Sequence, residues 1–100
     1  MEVKIRQQEE KTIVELEGRI DSSNAEQFQQ DLGALMKDEH PNIDIDCSSL
    51  TYISSQGLRV FLLLQQSVIG HEGSLVVRNM TPHVKEVFDI TGFSNIITIL

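Results

Sequence analysis

The sequence predicts an α/β domain with a mixed, mostly parallel sheet and crossover helices, in the order β-β-α-β-α-β-α-β. Three observations predict it. Two adjacent segments at the start alternate apolar with polar residues, the pattern of half-buried strands joined as a hairpin. Beyond them, short alternating or β-branched runs take turns with stretches of helical apolar spacing, which favours parallel strands linked by helices. The chain of 100 residues contains no internal repeat, low-complexity tract or linker, so residues 1–100 are expected to form one domain.

The first strand is expected over Val3 to Gln7, where Val3 and Ile5 alternate with Lys4 and Arg6. The second is expected over Thr12 to Glu17, with Gln8-Glu9-Glu10-Lys11 as the connection and Gly18 as the stop. Asp21-Ser22-Ser23-Asn24 is a cluster of helix-capping residue types. After it Ala25, Phe28, Leu32, Leu35 and Met36 fall on one helical face, and that helix should end near Asp38, before His40-Pro41. Asn42 to Cys47 alternates and reads as a strand; Ser48 to Ile53 reads as a connection. Ser54-Ser55 opens a segment running to about Ile69, read as a largely buried helix, with a buried strand as the alternative for its apolar part. Gly70 suits its end. Ser74 to Arg78 is a strand. Thr81-Pro82 joins a capping hydroxyl to a first-turn proline, and Val84, Val87 and Phe88 mark the buried face of the helix it starts. Gly92 stops that helix, and Ile96 to Leu100 is a final strand.

Charge narrows the function. Eight basic and fifteen acidic side chains give a formal net charge of −7, with no run of Lys and Arg. Such a chain repels phosphate backbones and anionic headgroups, so nucleic acid is not an expected partner. Met1-Glu2-Val3-Lys4-Ile5 lacks the basic and apolar regions of a signal peptide, and Val60 to Leu64, the longest apolar run, is too short to cross a bilayer. Direct membrane insertion is not expected, and a cytoplasmic location is. The lone Cys47 allows no intrachain disulfide and has no basic neighbour in sequence to activate it, so it reads as a small buried residue at a strand end. His40, His71 and His83 are isolated and show no ligand spacing. No glycine-rich phosphate loop and no Gly-x-Ser-x-Gly elbow is present. Neither a catalytic centre, a metal site nor a cofactor is expected.

Four stretches carry a family resemblance. Gly18-Arg19-Ile20-Asp21 followed by a helix matches a G-x-[IL]-D entry. Ile43-Asp44-Ile45-Asp46 and then Leu50-Thr51-Tyr52-Ile53 match a central strand and loop. Ser54-Ser55-Gln56-Gly57-Leu58 matches a phosphorylation loop and helix start often written D-S-x-G-L. Val84 to Gly92 resembles a last helix ending F-D-[ILM]-[ST]-G. Each motif alone is weak, but their order spans nearly the whole chain. The sequence therefore resembles STAS domains, in particular bacterial anti-sigma factor antagonists.

That resemblance implies partner switching. A serine kinase that is also the anti-sigma factor binds the unmodified protein and releases a sigma factor; phosphorylation of a serine at the start of the second helix ends the association, and a phosphatase resets it. Ser55 falls on the phosphoacceptor, Ser54 replaces the usual aspartate, and Asp21 matches an acidic position near the phosphoacceptor. The partner-binding residues so implied are Asp21, Ser54, Ser55, Gln56 and Gly57. The chemistry suits the place: a phosphoryl group at a helix start meets unpaired backbone N–H groups, and its added charge of about −1.5 to −2 is costly on a docking surface. Simpler roles remain open for the same residues: Ser54 as an N-cap, Ser55 as an ordinary first-turn residue, Asp21 as a turn residue, Gly57 as a packing glycine rather than one admitting a partner. Ser54 in place of aspartate also leaves room for a constitutive soluble STAS subunit of a membrane transport assembly.

Overall fold

A computed structural model describes residues 1–100. The elements are β1 (Glu2–Gln8), β2 (Lys11–Ile20), α1 (Ala25–Asp31), α2 (Gly33–Met36), β3 (Asn42–Ile53), α3 (Ser55–Gly70), β4 (Ser74–Arg78), α4 (Pro82–Ile90), a 3₁₀ turn (Phe93–Asn95) and β5 (Thr98–Ile99). They build one five-stranded sheet in the order β1-β2-β3-β4-β5. Only β1 and β2 are antiparallel, as a hairpin turning directly from Gln8 to Lys11; the other pairs are parallel. The expected mixed, mostly parallel sheet with crossover helices is the observed one.

Alternation places one face of this sheet in the core. Val14, Leu16 and Ile20 of β2, Ile43, Ile45 and Cys47 of β3, and Leu75 and Val77 of β4 are buried there against Phe28, Leu32, Leu58, Phe61, Leu64, Val68, Val84 and Phe88 from the helices. Three phenylalanines join the helices: Phe61 of α3 lies 5.7 Å from Phe28 of α1 and 5.3 Å, edge to face, from Phe88 of α4. The opposite face is ionic. Arg6 meets Glu15 at 3.3 Å, and Asp44, though 9% exposed, is bridged by Lys11 at 3.3 Å and Arg78 at 2.9 Å.

Several boundaries depart from the sequence reading. β3 does not stop at Cys47 but runs on to Ile53, and β2 continues through Gly18 to Ile20, because the two strands keep pairing: Glu17 with Ser49, Gly18 with Leu50, Arg19 with Tyr52, Ile20 with Ile53. At two irregularities, opposite Glu15–Glu17 and opposite Gly18–Arg19, β3 carries one residue more than β2, so alternation ceases to mark β3 while its ladder goes on. Gly18 supplies φ of 100° at the second of them. The first helix divides at Leu32 into α1 and α2, where Gly33 has no side chain to pack. Asn24 and Thr81 stand at helix starts without capping them: Asn24 turns back to accept from the Asp21 N–H (2.9 Å) and donate to the Arg19 carbonyl (2.8 Å), and the Thr81 hydroxyl donates to the Leu50 carbonyl (3.1 Å). The final strand contracts to Thr98–Ile99 because Phe93–Asn95 coils into the 3₁₀ turn. For the apolar stretch after Ser55 the helix prevails over the strand alternative, with Leu58, Phe61, Leu64 and Val68 on its buried side.

The surroundings of Asp46 predict a pH dependence of stability. The Ser48 N–H, 2.9 Å from its Oδ1, holds its carboxyl below the usual carboxylate range, with smaller help from the Ser48 and Asn79 side chains and Arg6. A depressed folded-state pKa stabilises above the unfolded value of about 3.9, and that contribution is lost as pH falls through the folded value. Melting temperature measured from pH 6 downwards should therefore fall more steeply below pH about 4 in the parent than in Asp46→Asn. Parallel curves would remove this role from Asp46.

Candidate functional site

The sheet delivers two chain segments to one spot. β2 and β3 run parallel and end level, Ile20 beside Ile53, so Asp21 and Ser54 emerge side by side at the carboxyl edge of the sheet. The Ser54 N–H donates to the Ile20 carbonyl at 2.8 Å, the last link between these strands. Ser54 then stands in extended backbone (φ −91°, ψ 174°) as the N-cap of α3: its carbonyl accepts from the Leu58 N–H at 3.0 Å and its Oγ from the Gly57 N–H at 3.2 Å. The N-cap role open in the sequence is the one seen for Ser54.

Ser55 and Gln56 follow in the first turn, both exposed. The Ser55 hydroxyl reaches only the Gln56 Oε1, at 3.3 Å, and holds no group of the fold in place. Gly57 faces the other way. It is buried, and a Cβ built there would lie 2.7 Å from Ile20 Cγ2 and 2.8 Å from Ile53 Cγ1. This corrects the reading of Gly57 as a residue that lets a partner approach: the close approach it permits is that of α3 to the ends of β2 and β3. Its neighbours, not its own surface, face solvent.

Asp21 is engaged locally. Its Oδ1 accepts from the Ser23 hydroxyl and from the Ser23 N–H at 3.0 Å, and these bonds, with Arg19 nearby, hold its carboxyl below the usual range. It is an ionised acid fixed in a turn beside the start of α3. Three residues that no motif singled out for their side chains complete this edge. The Arg19 guanidinium lies 4.3 Å above the Tyr52 ring, and His83 of α4 stacks on Tyr52 at 6.1 Å. Arg19 and Tyr52 become neighbours only because β3 extends past Cys47.

The remaining chemistry-bearing side chains lie away from this edge or apart from one another. Cys47 is buried in β3, and burial pushes its thiol up to about 12, far from a reactive thiolate. His40, His71 and His83 join no group of three or more potential ligands. The Nδ1 of His71 pairs with the Ser67 carbonyl at 2.8 Å. A concavity of about 380 Å³ lined by Gln8, Lys11, Asn42 and Asp44 among others lies at the opposite ends of β2 and β3 from Ser54. The exposed first turn of α3 lies at the same edge as Asp21 and the Arg19–Tyr52–His83 stack. No helix is long and apolar enough to cross a membrane.

Residues 3–99 match the family model described as Mlab, STAS domain. The chain is 42% identical over 81 residues to BtrV of Bordetella bronchiseptica, a candidate anti-sigma factor antagonist, covering 81% of this chain and 70% of that one. It is 31% identical over 97 residues to the anti-sigma-B factor antagonist of Bacillus subtilis, covering 97% of this chain and 88% of that one. SpoIIAA, an anti-sigma factor antagonist and Bacillus cell fate determinant, shares the fold in its unphosphorylated and phosphorylated forms. Both superpose at a TM-score of 0.76, with 16% and 17% identity, covering 99% of this chain and 87% and 91% of theirs.

The geometry separates the roles of adjacent residues. Gly57→Ala should cost about 1–3 kcal/mol by urea denaturation, because its methyl meets two branched side chains anchored in strands. Ser54→Ala should cost about 1 kcal/mol through loss of the cap, and Ser55→Ala should stay within about 0.5 kcal/mol of the parent. Equal losses at all three positions would contradict the inward and outward assignments.

Proposed function

The chain belongs to the STAS domain family as an anti-sigma factor antagonist-like member, and on that premise we propose that it is a docking protein switched by phosphorylation of Ser55. The observation that carries the proposal is the contrast between adjacent hydroxyls. Ser54 is committed to capping α3, whereas Ser55 is exposed and bonded only to its neighbour Gln56. A kinase can modify Ser55 without dismantling a structural hydrogen bond.

In the unmodified state, the first turn of α3 with Asp21 beside it docks onto an anti-sigma factor that is also a serine kinase, in the cytoplasm, and frees a sigma factor. The kinase transfers the γ-phosphoryl group of ATP to the Ser55 Oγ; the hydroxyl proton is lost and ADP leaves. The phosphate brings a charge of about −1.5 to −2 to a contact surface that already holds ionised Asp21. Desolvating that charge and bringing it near Asp21 both oppose re-docking. A phosphatase delivers water to the phosphorus, releases inorganic phosphate and restores the hydroxyl. Names of relatives support this reading over that of a constitutive transport subunit, since those quoted above are anti-sigma factor antagonists.

Calorimetric titration against the anti-sigma factor tests it. Ser55→Glu should weaken binding about tenfold or more, equivalent to about 1.4 kcal/mol, with an unchanged circular dichroism spectrum, while Ser55→Ala binds as the parent does. Undiminished affinity of Ser55→Glu, or stable co-purification with a transporter ATPase that ignores this substitution, would favour the constitutive subunit.

A further inference from the structure

Arg59 is the only charged side chain in the 16 residues of α3. It is exposed, and no carboxylate of the folded chain lies within ion-pair distance of it, whereas Lys4, Arg6, Lys11, Arg78 and Lys85 are all paired. It follows Ser55 by four residues, so the two side chains rise from the same helical face on successive turns, with Cβ atoms about 5–6 Å apart. Helical side chains lean toward the N-terminus, which directs the long Arg59 stem over the turn that carries Ser55. An anion N-terminal to a cation at this spacing is the favoured orientation.

We propose that Arg59 is the intramolecular counter-ion of phosphorylated Ser55: its guanidinium binds the phosphate oxygens of the modified residue on the adjacent turn. This rests on the assignment of Ser55 as the modified residue and adds the group that receives the charge. Planar guanidinium donors suit two phosphate oxygens at once, an arrangement a lysine ammonium does not reproduce. The consequence for the switch is twofold. Phosphorylation adds an anion to the docking surface, and it also withdraws from that surface a cation that is free in the unmodified chain.

The test uses full-length protein carrying phosphoserine at position 55, introduced during synthesis, followed by ³¹P NMR across pH 4–8. A seryl phosphate has its second ionisation near pH about 6. The phosphate of the parent chain should titrate about 0.3 unit below that of Arg59→Gln, a separation expected of one helical ion pair and reduced in 1 M salt. Lys37→Gln provides the control, because α2 packs by Ser67, about 18 Å along α3 from Ser55. Coincident titrations for parent and Arg59→Gln would overturn the proposal, as would an equal shift in Lys37→Gln, which would mark a general field effect. Partner binding is read separately. A shifted phosphate with unaltered partner affinity would keep the pair and reject the switch; an unshifted phosphate with lost affinity would do the reverse.

Discussion

The close contact of Gly57 with Ile20 and Ile53 is the constraint on which the site depends. α3 must approach two strand ends nearer than any side chain allows, and only hydrogen at that position leaves Ile20 and Ile53 their space. With α3 seated so deeply, Leu58 and Phe61 reach the core, and Phe61 links Phe28 and Phe88 into one layer. The same seating turns Ser55 and Gln56 outward. One packing requirement thus fixes the helix and selects which serine is presented.

The strands and helices were legible in sequence where periodicity was intact. The hairpin, the amphipathic first helix and the helix after Ser55 all follow from spacing, because burial on one side of a regular element repeats along the chain. The far half of β3 was hidden for the same reason: the ladder continues from Ser48 to Ile53 through irregularities that shift side chains off the two-residue beat. Capping was misread at Asn24 and Thr81, since residue type tells that a side chain can accept or donate near a backbone and not which backbone it will find. At Ser54 and Ser55 the motif marked the place, but hydroxyl against hydroxyl was decided by geometry. The Arg19–Tyr52–His83 stack joins residues from three elements and leaves no local pattern to read.

Charged side chains are held differently on the two surfaces. The sheet face away from the core pairs ions across strands, with Asp44 between Lys11 and Arg78. The carboxyl edge differs: Asp21 is bound by a neighbour's N–H and hydroxyl rather than by a cation, and Arg19 lies on an aromatic ring rather than on a carboxylate.

Ser54 belongs to two structures at once. Its N–H closes the β2–β3 ladder on Ile20, while its carbonyl and hydroxyl open α3. Local fraying of the strand end would strip the cap from the helix, and unwinding the helix would loosen the strand, so neither opens cheaply alone. The contact surface is consequently preorganised. A partner docking as proposed would meet a shape already set and immobilise little backbone on arrival, so the entropic toll on association would be small, as in rigid-body docking rather than folding upon binding. The switch proposed for this junction would act by changing charge on a fixed shape, to be set and reset without passing through a partly unfolded state.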